Sequence, residues 1–216
     1  MSLELVVSNI FKSYSSDGIL KNCSFTFSSS GTYALMGPNG CGKSTFLRIC
    51  ALLEAPDSGD VSFFSEGKPV IKDISLMRRI TLLLPNIGVF NTTVYMNVVY
   101  GLSIRNIQRS DVISRAEKAL DFVGLLHKKH QKALTLSSGE TKRLGIARAL
   151  VIEPEIIFLD EPTASVDMKN TEIIENIIRR MKKDGRAIIM TTHNMAQARR
   201  LADCLMVMKD GMISAA

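Results

Sequence analysis

Short, continuously apolar runs alternate along the chain with segments of helical periodicity. The apolar runs have the length of buried strands and lie at residues 32–36, 80–84, 156–159 and 187–190. Between the last two runs, Ile173, Ile174, Ile177, Ile178 and Met181 repeat at the spacing of one helix face. Strands that are apolar at every position are typical of a parallel sheet covered on both faces. The pattern predicts an α/β fold with a mostly parallel sheet.

Two further features surround this predicted core. Residues 5–7 and 23–27 have the composition of strands in an N-terminal antiparallel β edge. The pattern turns helical from about residue 91 to residue 132, and Ser110 is the predicted N-cap of a helix in this stretch. The predicted organisation is a core of residues 1–85 and 138–216 with a helical subdomain inserted at about residues 86–137.

A glycine-rich loop follows the first apolar run. Residues 37–45 match the pattern G-x-x-x-x-G-K-[ST], and an apolar segment with helical spacing follows them. Glycines allow the backbone to fold into a nest of N–H groups around a phosphate, and strand, loop and helix is the order that such a nest requires. The predicted phosphate-binding residues are Gly37, Pro38, Asn39, Gly40, Cys41, Gly42, Lys43, Ser44 and Thr45. Lys43 supplies charge for the β- and γ-phosphates, and the Ser44 hydroxyl is a candidate Mg²⁺ ligand.

Acidic residues and a histidine follow two other core runs. Asp160 and Glu161 end the apolar run at residues 156–159, which places them at the ligand-binding edge of a parallel sheet. Asp160 suits a Mg²⁺ ligand, and Glu161 suits a general base that orients an attacking water. His193 follows the run at residues 187–190, from where its imidazole could bind a γ-phosphate.

A third candidate element opens a helix at Ser137, Ser138, Gly139 and Glu140. Ser137 and Glu140 have the S-x-x-E spacing of a capping box, so the segment could serve only to begin a helix. A helix N-terminus with small residues is also an anion site, and the residues alone leave both interpretations open.

Composition adds limits of its own. Lys and Arg number 27 and Asp and Glu 21, which gives a net charge of +6 that favours a solvated basic face over a polyanion site. The segment at residues 127–130, His-Lys-Lys-His, is predicted to be a solvated basic loop and not a metal site. Four irregularly spaced cysteines fit a reduced, cytosolic protein. No signal peptide is expected, and no apolar run approaches the roughly 18 residues that span a bilayer.

Together these motifs resemble the ATP-binding subunits of ATP-binding cassette (ABC) transporters, over nearly the whole chain as a single cassette. Residues 37–45 are similar to the Walker A loop of that family, and residues 156–161 to Walker B with its catalytic glutamate. Residues 136–140 resemble the signature LSGGQ, with Ser138 for the first glycine and Glu140 for glutamine. Residues 162–167 resemble the D-loop, His193 the switch histidine, and Tyr14 the aromatic residue that stacks on adenine.

One family element is missing from the sequence. The family has a glutamine after the strand that corresponds to residues 80–84, and this chain has Pro85 there. Proline offers no side-chain amide to Mg²⁺ or to the lytic water, although Asn86 carries a shorter carboxamide. The resemblance therefore implies an intact phosphate-binding loop, but an altered contact between the nucleotide and the partner protein.

The resemblance also implies cofactors and partners. ATP and Mg²⁺ would be the cofactors, and a second cassette would complete the site head to tail, as a homodimer. Transmembrane permease subunits would hold the chain at the inner face of the cell membrane, and no nucleic acid partner is expected. Residues 191–198 resemble importer cassettes, including those for oxyanions and polar amino acids.

Two other functions compete with transport. A soluble ABC-type ATPase acting on ribosomes or DNA would use the same motifs, but such proteins carry two cassettes or a long coiled-coil insertion. A small-molecule kinase would use the phosphate loop without needing residues 136–140 or His193. Transport is the function that the whole set of motifs favours.

Overall fold

The computed structural model of the chain describes residues 3–15, 17–105 and 107–215. Its strands are β1 (Leu3–Tyr14), β2 (Asp17–Phe27), β3 (Gly31–Met36), β4 (Ser58–Ser65), β5 (Lys68–Val70), β6 (Ile80–Leu83), β7 (Ile156–Leu159), β8 (Ala187–Thr191), β9 (Cys204–Lys209) and β10 (Met212–Ala215). Its α-helices are α1 (Lys43–Cys50), α2 (Ile74–Met77), α3 (Val94–Ser103), α4 (Arg109–Phe122), α5 (Ser138–Leu150), α6 (Met168–Lys183) and α7 (Met195–Leu201). Short 3-10 turns lie at Leu126–Lys128 and Ala133–Thr135.

The strands form two sheets. The larger sheet has the order β10-β9-β3-β8-β7-β6, and its strands are parallel except for β10, which pairs antiparallel with β9. The prediction of an α/β fold with a mostly parallel sheet is confirmed. The predicted antiparallel strands β1 and β2 are also present, but together with β4 and β5 they form a separate four-stranded sheet.

The parallel sheet separates two hydrophobic cores. Along β7, Ile157 and Leu159 enter the core formed with α3 to α6, whereas Ile156 and Phe158 enter the core shared with α1 and the antiparallel sheet. Successive residues of a strand point to opposite faces, so a strand between two cores must be apolar throughout. This alternation explains the uninterrupted apolar runs of the sequence.

The helices α3 and α4 lie between β6 and β7 in the chain, within the stretch predicted to be a helical insertion. They share a core with α5 that includes the buried side chains of Val98, Leu120 and Leu144. The prediction that Ser110 caps a helix is wrong. Gln108 is the N-cap of α4, because its carbonyl already accepts the first helical hydrogen bond, from the Val112 amide at 3.0 Å.

Over the described ranges, no helix is both long enough and apolar enough to cross a membrane.

Candidate nucleotide-binding site

The glycine-rich loop joins β3 to α1 in the order that the sequence predicts. Gly42 is the N-cap of α1 and has φ of 106°, in the left-handed region that favours glycine. Gly37 is also required, because a Cβ atom there would overlap the backbone carbonyl of Met208 in β9. The loop is therefore held closely against the sheet while its amides lead into the start of a helix, where an anion is stabilised.

Lys43 lies across this loop. Its Nζ donates to the carbonyl oxygens of Gly37 at 2.8 Å and Pro38 at 2.9 Å, and the side chain is buried. Both acceptors belong to the loop itself, so the ammonium group stays at the place where the loop would hold phosphate oxygens.

A cleft of about 510 Å³ lies over the loop. Its lining residues are Tyr14, Ile19, Asn39, Gly40, Gly42, Lys43, Ser44, Thr45, Pro85 and Glu161. Tyr14 keeps 44% of its surface exposed, and its hydroxyl donates to the Glu54 carboxylate. The structure thus brings the predicted aromatic residue, the phosphate loop and the predicted catalytic carboxylate to one cleft. Pro85 lines the same cleft, at the position where the family has its glutamine.

The two acidic residues at the end of β7 are fixed by a residue that the sequence argument missed. Thr191, at the end of β8, donates its hydroxyl to Asp160 Oδ1 at 2.6 Å. The same hydroxyl oxygen accepts the Glu161 amide at 2.9 Å. Thr191 is fully buried, and Asp160 is only 2% exposed. The signal in the sequence is a polar residue directly after the apolar run at residues 187–190.

The Glu161 backbone is unusual. Its φ is +46°, in the left-handed region that non-glycine residues rarely adopt. The hydrogen bond from its amide to Thr191 helps to hold this conformation. In this conformation Glu161 lines the cleft.

His193 follows β8, the strand between β3 and β7. Its Nδ1 lies 3.6 Å from Glu161 Oε2, and the side chain is 65% exposed. The histidine is therefore beside the predicted catalytic carboxylate and accessible to a ligand or to another molecule.

Residues 137–140 lie away from this cleft. Ser137 and Glu140 form the predicted capping box, with Ser137 Oγ accepting the Glu140 amide at 3.3 Å and Glu140 Oε2 accepting the Ser137 amide at 3.1 Å. None of Ser137, Ser138, Gly139 and Glu140 is among the residues that line the cleft. A Cβ atom at Gly139 would overlap the side chain of Asn170 in α6, so only glycine fits there.

The basic segment beside the signature is not a simple solvated loop, so that prediction is wrong for its lysines. Lys128 Nζ lies 2.6 Å from Glu140 Oε1, and Lys129 Nζ lies 2.7 Å from Glu117 Oε1. The hydrogen bond from Lys128 lowers the pKa of Glu140. The lysines are attracted to carboxylates that are distant in sequence, which charge counting along the chain does not show. Within the described part of the chain, no group of three or more His, Cys, Asp or Glu side chains could hold a metal ion.

Comparisons with known proteins identify the family of the chain. The family model described as ABC transporter matches residues 20–164. The chain is 35% identical to the phosphate import ATP-binding protein PstB 2 of Natronomonas pharaonis, over 97% of this chain and 78% of that protein. It is 34% identical to the tungstate uptake system ATP-binding protein TupC of Peptoclostridium acidaminophilum, over 99% and 98% respectively. A solved dimeric ATP-binding cassette bound to ADP and Pi superposes with a TM-score of 0.84 at 26% identity, covering 97% of this chain and 96% of that one.

The chain therefore belongs to the ABC transporter family. Within that family it is an ATP-binding subunit, and its activity is ATP hydrolysis.

Proposed function

We propose that the chain powers uptake of a small solute through a membrane permease, by cycles of ATP binding and hydrolysis between two copies of itself. The observation that carries this proposal is one cleft lined by both the phosphate loop and Glu161. Thr191 holds Glu161 and Asp160 through its hydroxyl. The relatives named for phosphate and tungstate uptake support import and suggest an oxyanion as the solute.

The phosphate loop has the chemistry to hold the nucleotide. Its amides and Lys43 would bind the phosphates, and Tyr14 would stack on adenine at the margin of the cleft. Ser44 and Asp160 would hold Mg²⁺, since their hydroxyl and carboxylate oxygens are the hard donors that this ion prefers. When bound, Mg²⁺ would neutralise charge on the β- and γ-phosphates.

Hydrolysis would depend mainly on positioning and charge. Glu161 would accept a proton from the attacking water, since the residue lines the cleft and its backbone is held by Thr191. His193, 3.6 Å from that carboxylate, would donate a hydrogen bond to the γ-phosphate.

A second copy is needed because residues 137–140 do not reach the cleft of their own chain. In a head-to-tail pair, the start of α5 in one copy would close the phosphate site of the other with Ser137, Ser138, Gly139 and Glu140. Helix N-termini stabilise anions, which gives this closure a physical basis. The neighbour structure bound to ADP and Pi is dimeric, which supports the pairing of two copies.

A second groove provides a surface for the permease. It lies between β6, α3 and α5 and includes the apolar side chains of Leu83, Leu84, Ile87, Tyr100 and Ile104. Leu84, Tyr100 and Ile104 are exposed there, with 66% of the surface of Ile104 accessible. An apolar groove of this kind suits a helix of a membrane partner. Binding there would place the chain at the cytoplasmic face of the membrane, with no nucleic acid involved.

The substitution Glu161→Gln tests this function. We expect the variant to bind ATP with near wild-type affinity, to lose hydrolysis by about 100-fold or more, and to accumulate as an ATP-bound dimer. Phosphate release and size-exclusion chromatography with light scattering would measure these outcomes. Wild-type phosphate release by Glu161→Gln would remove Glu161 from the role of base, and a phosphorylated small-molecule product would indicate a kinase.

A further inference from the structure

The loop between β6 and α3, residues 84–93, connects the nucleotide cleft to the apolar groove. Pro85 lines the cleft beside Glu161, and Asn86, Ile87 and Gly88 line the groove. The two surfaces are therefore lined by adjacent residues of the same loop. Any change at the γ-phosphate that moves Pro85 would be transmitted to the groove through the backbone of this loop.

One face of α5 holds this loop at three points. Lys142 Nζ donates to the Pro85 carbonyl, and Arg148 Nη1 donates to the Gly88 carbonyl at 2.6 Å. Between them, Gly145 lies so close to Ile87 that a Cβ atom on the glycine would overlap the isoleucine side chain. The spacing of three residues places all three contacts on the same side of the helix.

Lys142 is the contact nearest to the reacting groups. The residue is 8% exposed, and the Pro85 carbonyl is its hydrogen-bond acceptor. Burial lowers the pKa of Lys142, while the nearby carboxylates of Glu161 and Asp160 act in the opposite direction and favour its charged form. Burying an ammonium group is unfavourable unless it is paired, and the hydrogen bond to the Pro85 carbonyl supplies that partner.

We propose that Lys142 is a positioning residue for hydrolysis, which fixes the Pro85 carbonyl beside the cleft and places its buried ammonium group near Asp160 and Glu161. This inference rests on the proposed function, in which Glu161 acts on the attacking water. The pair of Lys142 and the Pro85 backbone supplies the link between nucleotide site and loop that a side-chain amide at position 85 would otherwise supply. Its tie to α5 also makes the loop follow that helix.

The substitution Lys142→Met tests the proposal, because it keeps an unbranched side chain of similar length and removes both the charge and the donor. We expect kcat for ATP hydrolysis to fall by about tenfold or more, the size typical of residues that orient primary groups, with KM for ATP within about twofold of wild type. Lys142→Gln keeps a donor without the charge and should also lower kcat. A wild-type kcat in the folded form of either variant would overturn the proposal.

Arg143→Met is the matched control for loss of folding. Arg143 is the next residue of α5, is also 8% exposed, and donates to the carbonyls of Val123 and Gly124, away from the cleft. We expect it to lower the denaturation midpoint but to keep kcat per folded molecule within about twofold, since no donor to the cleft is lost. Equal losses of kcat per folded molecule in Lys142→Met and Arg143→Met would show a merely structural role and overturn the proposal.

Restoring the family's amide gives a readout that a structural role would not produce. Adding Pro85→Gln to Lys142→Met should recover at least part of the lost kcat, whereas adding it to Arg143→Met should leave the denaturation midpoint low. Failure of Pro85→Gln to recover any kcat would count against the shared role of the two positions. Glu161→Gln tests the general base independently of Lys142. Full ATPase activity of Glu161→Gln would overturn the proposed function, whereas the effect of Lys142→Met on kcat is a separate measurement.

Discussion

At the scale of single residues, the orientation of Asp160 and Glu161 depends on the Thr191 hydroxyl. This hydroxyl donates to the Asp160 carboxylate at 2.6 Å and accepts the Glu161 amide at 2.9 Å, and water has no access to it. Without it, a buried carboxylate oxygen and a backbone amide would each lose a partner, and unsatisfied buried groups are costly.

We therefore expect Thr191→Val, which preserves side-chain shape, to lower stability by about 1–3 kcal/mol. We also expect it to lower kcat by about tenfold, since the carboxylates would no longer be held in one orientation. Urea denaturation and steady-state phosphate release measure the two effects.

Thr32 provides the matched control for this substitution. It is also fully buried, in β3, but its hydroxyl oxygen makes no hydrogen bond to any residue that the structure describes. Thr32→Val should be close to neutral or stabilising, because no partner is left unpaired. If the two variants behaved alike, the hydrogen bonds of Thr191 would not be the cause of its effect.

At the scale of secondary-structure elements, the start of α5 is attached to the 3-10 turn at Leu126–Lys128. Lys128 reaches Glu140, which is also the last member of the capping box, so one carboxylate closes the helix end and joins the two elements. In the proposed dimer this carboxylate would approach the triphosphate of the other copy. An unneutralised negative charge at that place would oppose binding of ATP.

Lys128→Met should accordingly weaken the ATP-dependent dimer by about fivefold, the size expected of one partly exposed charge. In a chain that already carries Glu140→Gln, Lys128→Met should not weaken the dimer. Sedimentation of the four combinations in the Glu161→Gln background would measure the coupling. Lys129→Met is the control, since Lys129 pairs with Glu117 instead. If Lys128→Met weakened the dimer equally in chains with Glu140 and in chains with Glu140→Gln, neutralisation of the Glu140 charge would be excluded as the reason.

Much of the architecture could be predicted from periodicity, because β7 and β8 must be apolar on both faces and the glycine loop has few other uses. The separate antiparallel sheet could not be predicted, because the pattern of one strand does not indicate its partner when the two are far apart in the sequence.

Thr191 and Lys142 were missed for a related reason. Their partners, Asp160 and the Pro85 carbonyl, are 31 and 57 residues away, and a carbonyl has no sequence signature. The predicted N-cap at Ser110 failed because local propensity is weak compared with the backbone hydrogen bonds that begin α4 at Arg109.

At the scale of the whole molecule, the nucleotide cleft and the apolar groove share the first residues of one short loop, which α5 holds. We expect Tyr100→Asp, in the groove, to release the chain from isolated membranes, because a carboxylate would be desolvated against an apolar partner. Membrane flotation of the full chain with its native permease measures the bound fraction.

Met168→Asp is the control for this experiment. Met168 is 80% exposed at the start of α6 and lies outside the groove. Met168→Asp should leave the membrane-bound fraction unchanged, which would show that added surface charge alone does not release the chain. Retention of Tyr100→Asp on membranes at the wild-type level would remove the groove as the permease surface.

The left-handed backbone of Glu161 has a further consequence for the molecule. A non-glycine residue in this region carries a conformational penalty of about 1 kcal/mol, which glycine would avoid. The chain therefore keeps a glutamate where a glycine would relax the turn, and it gives up stability at the position where the proposed reaction needs a carboxylate. At such a position stability is lower than it could be because activity needs the side chain, and selection for stability alone would be expected to replace the glutamate.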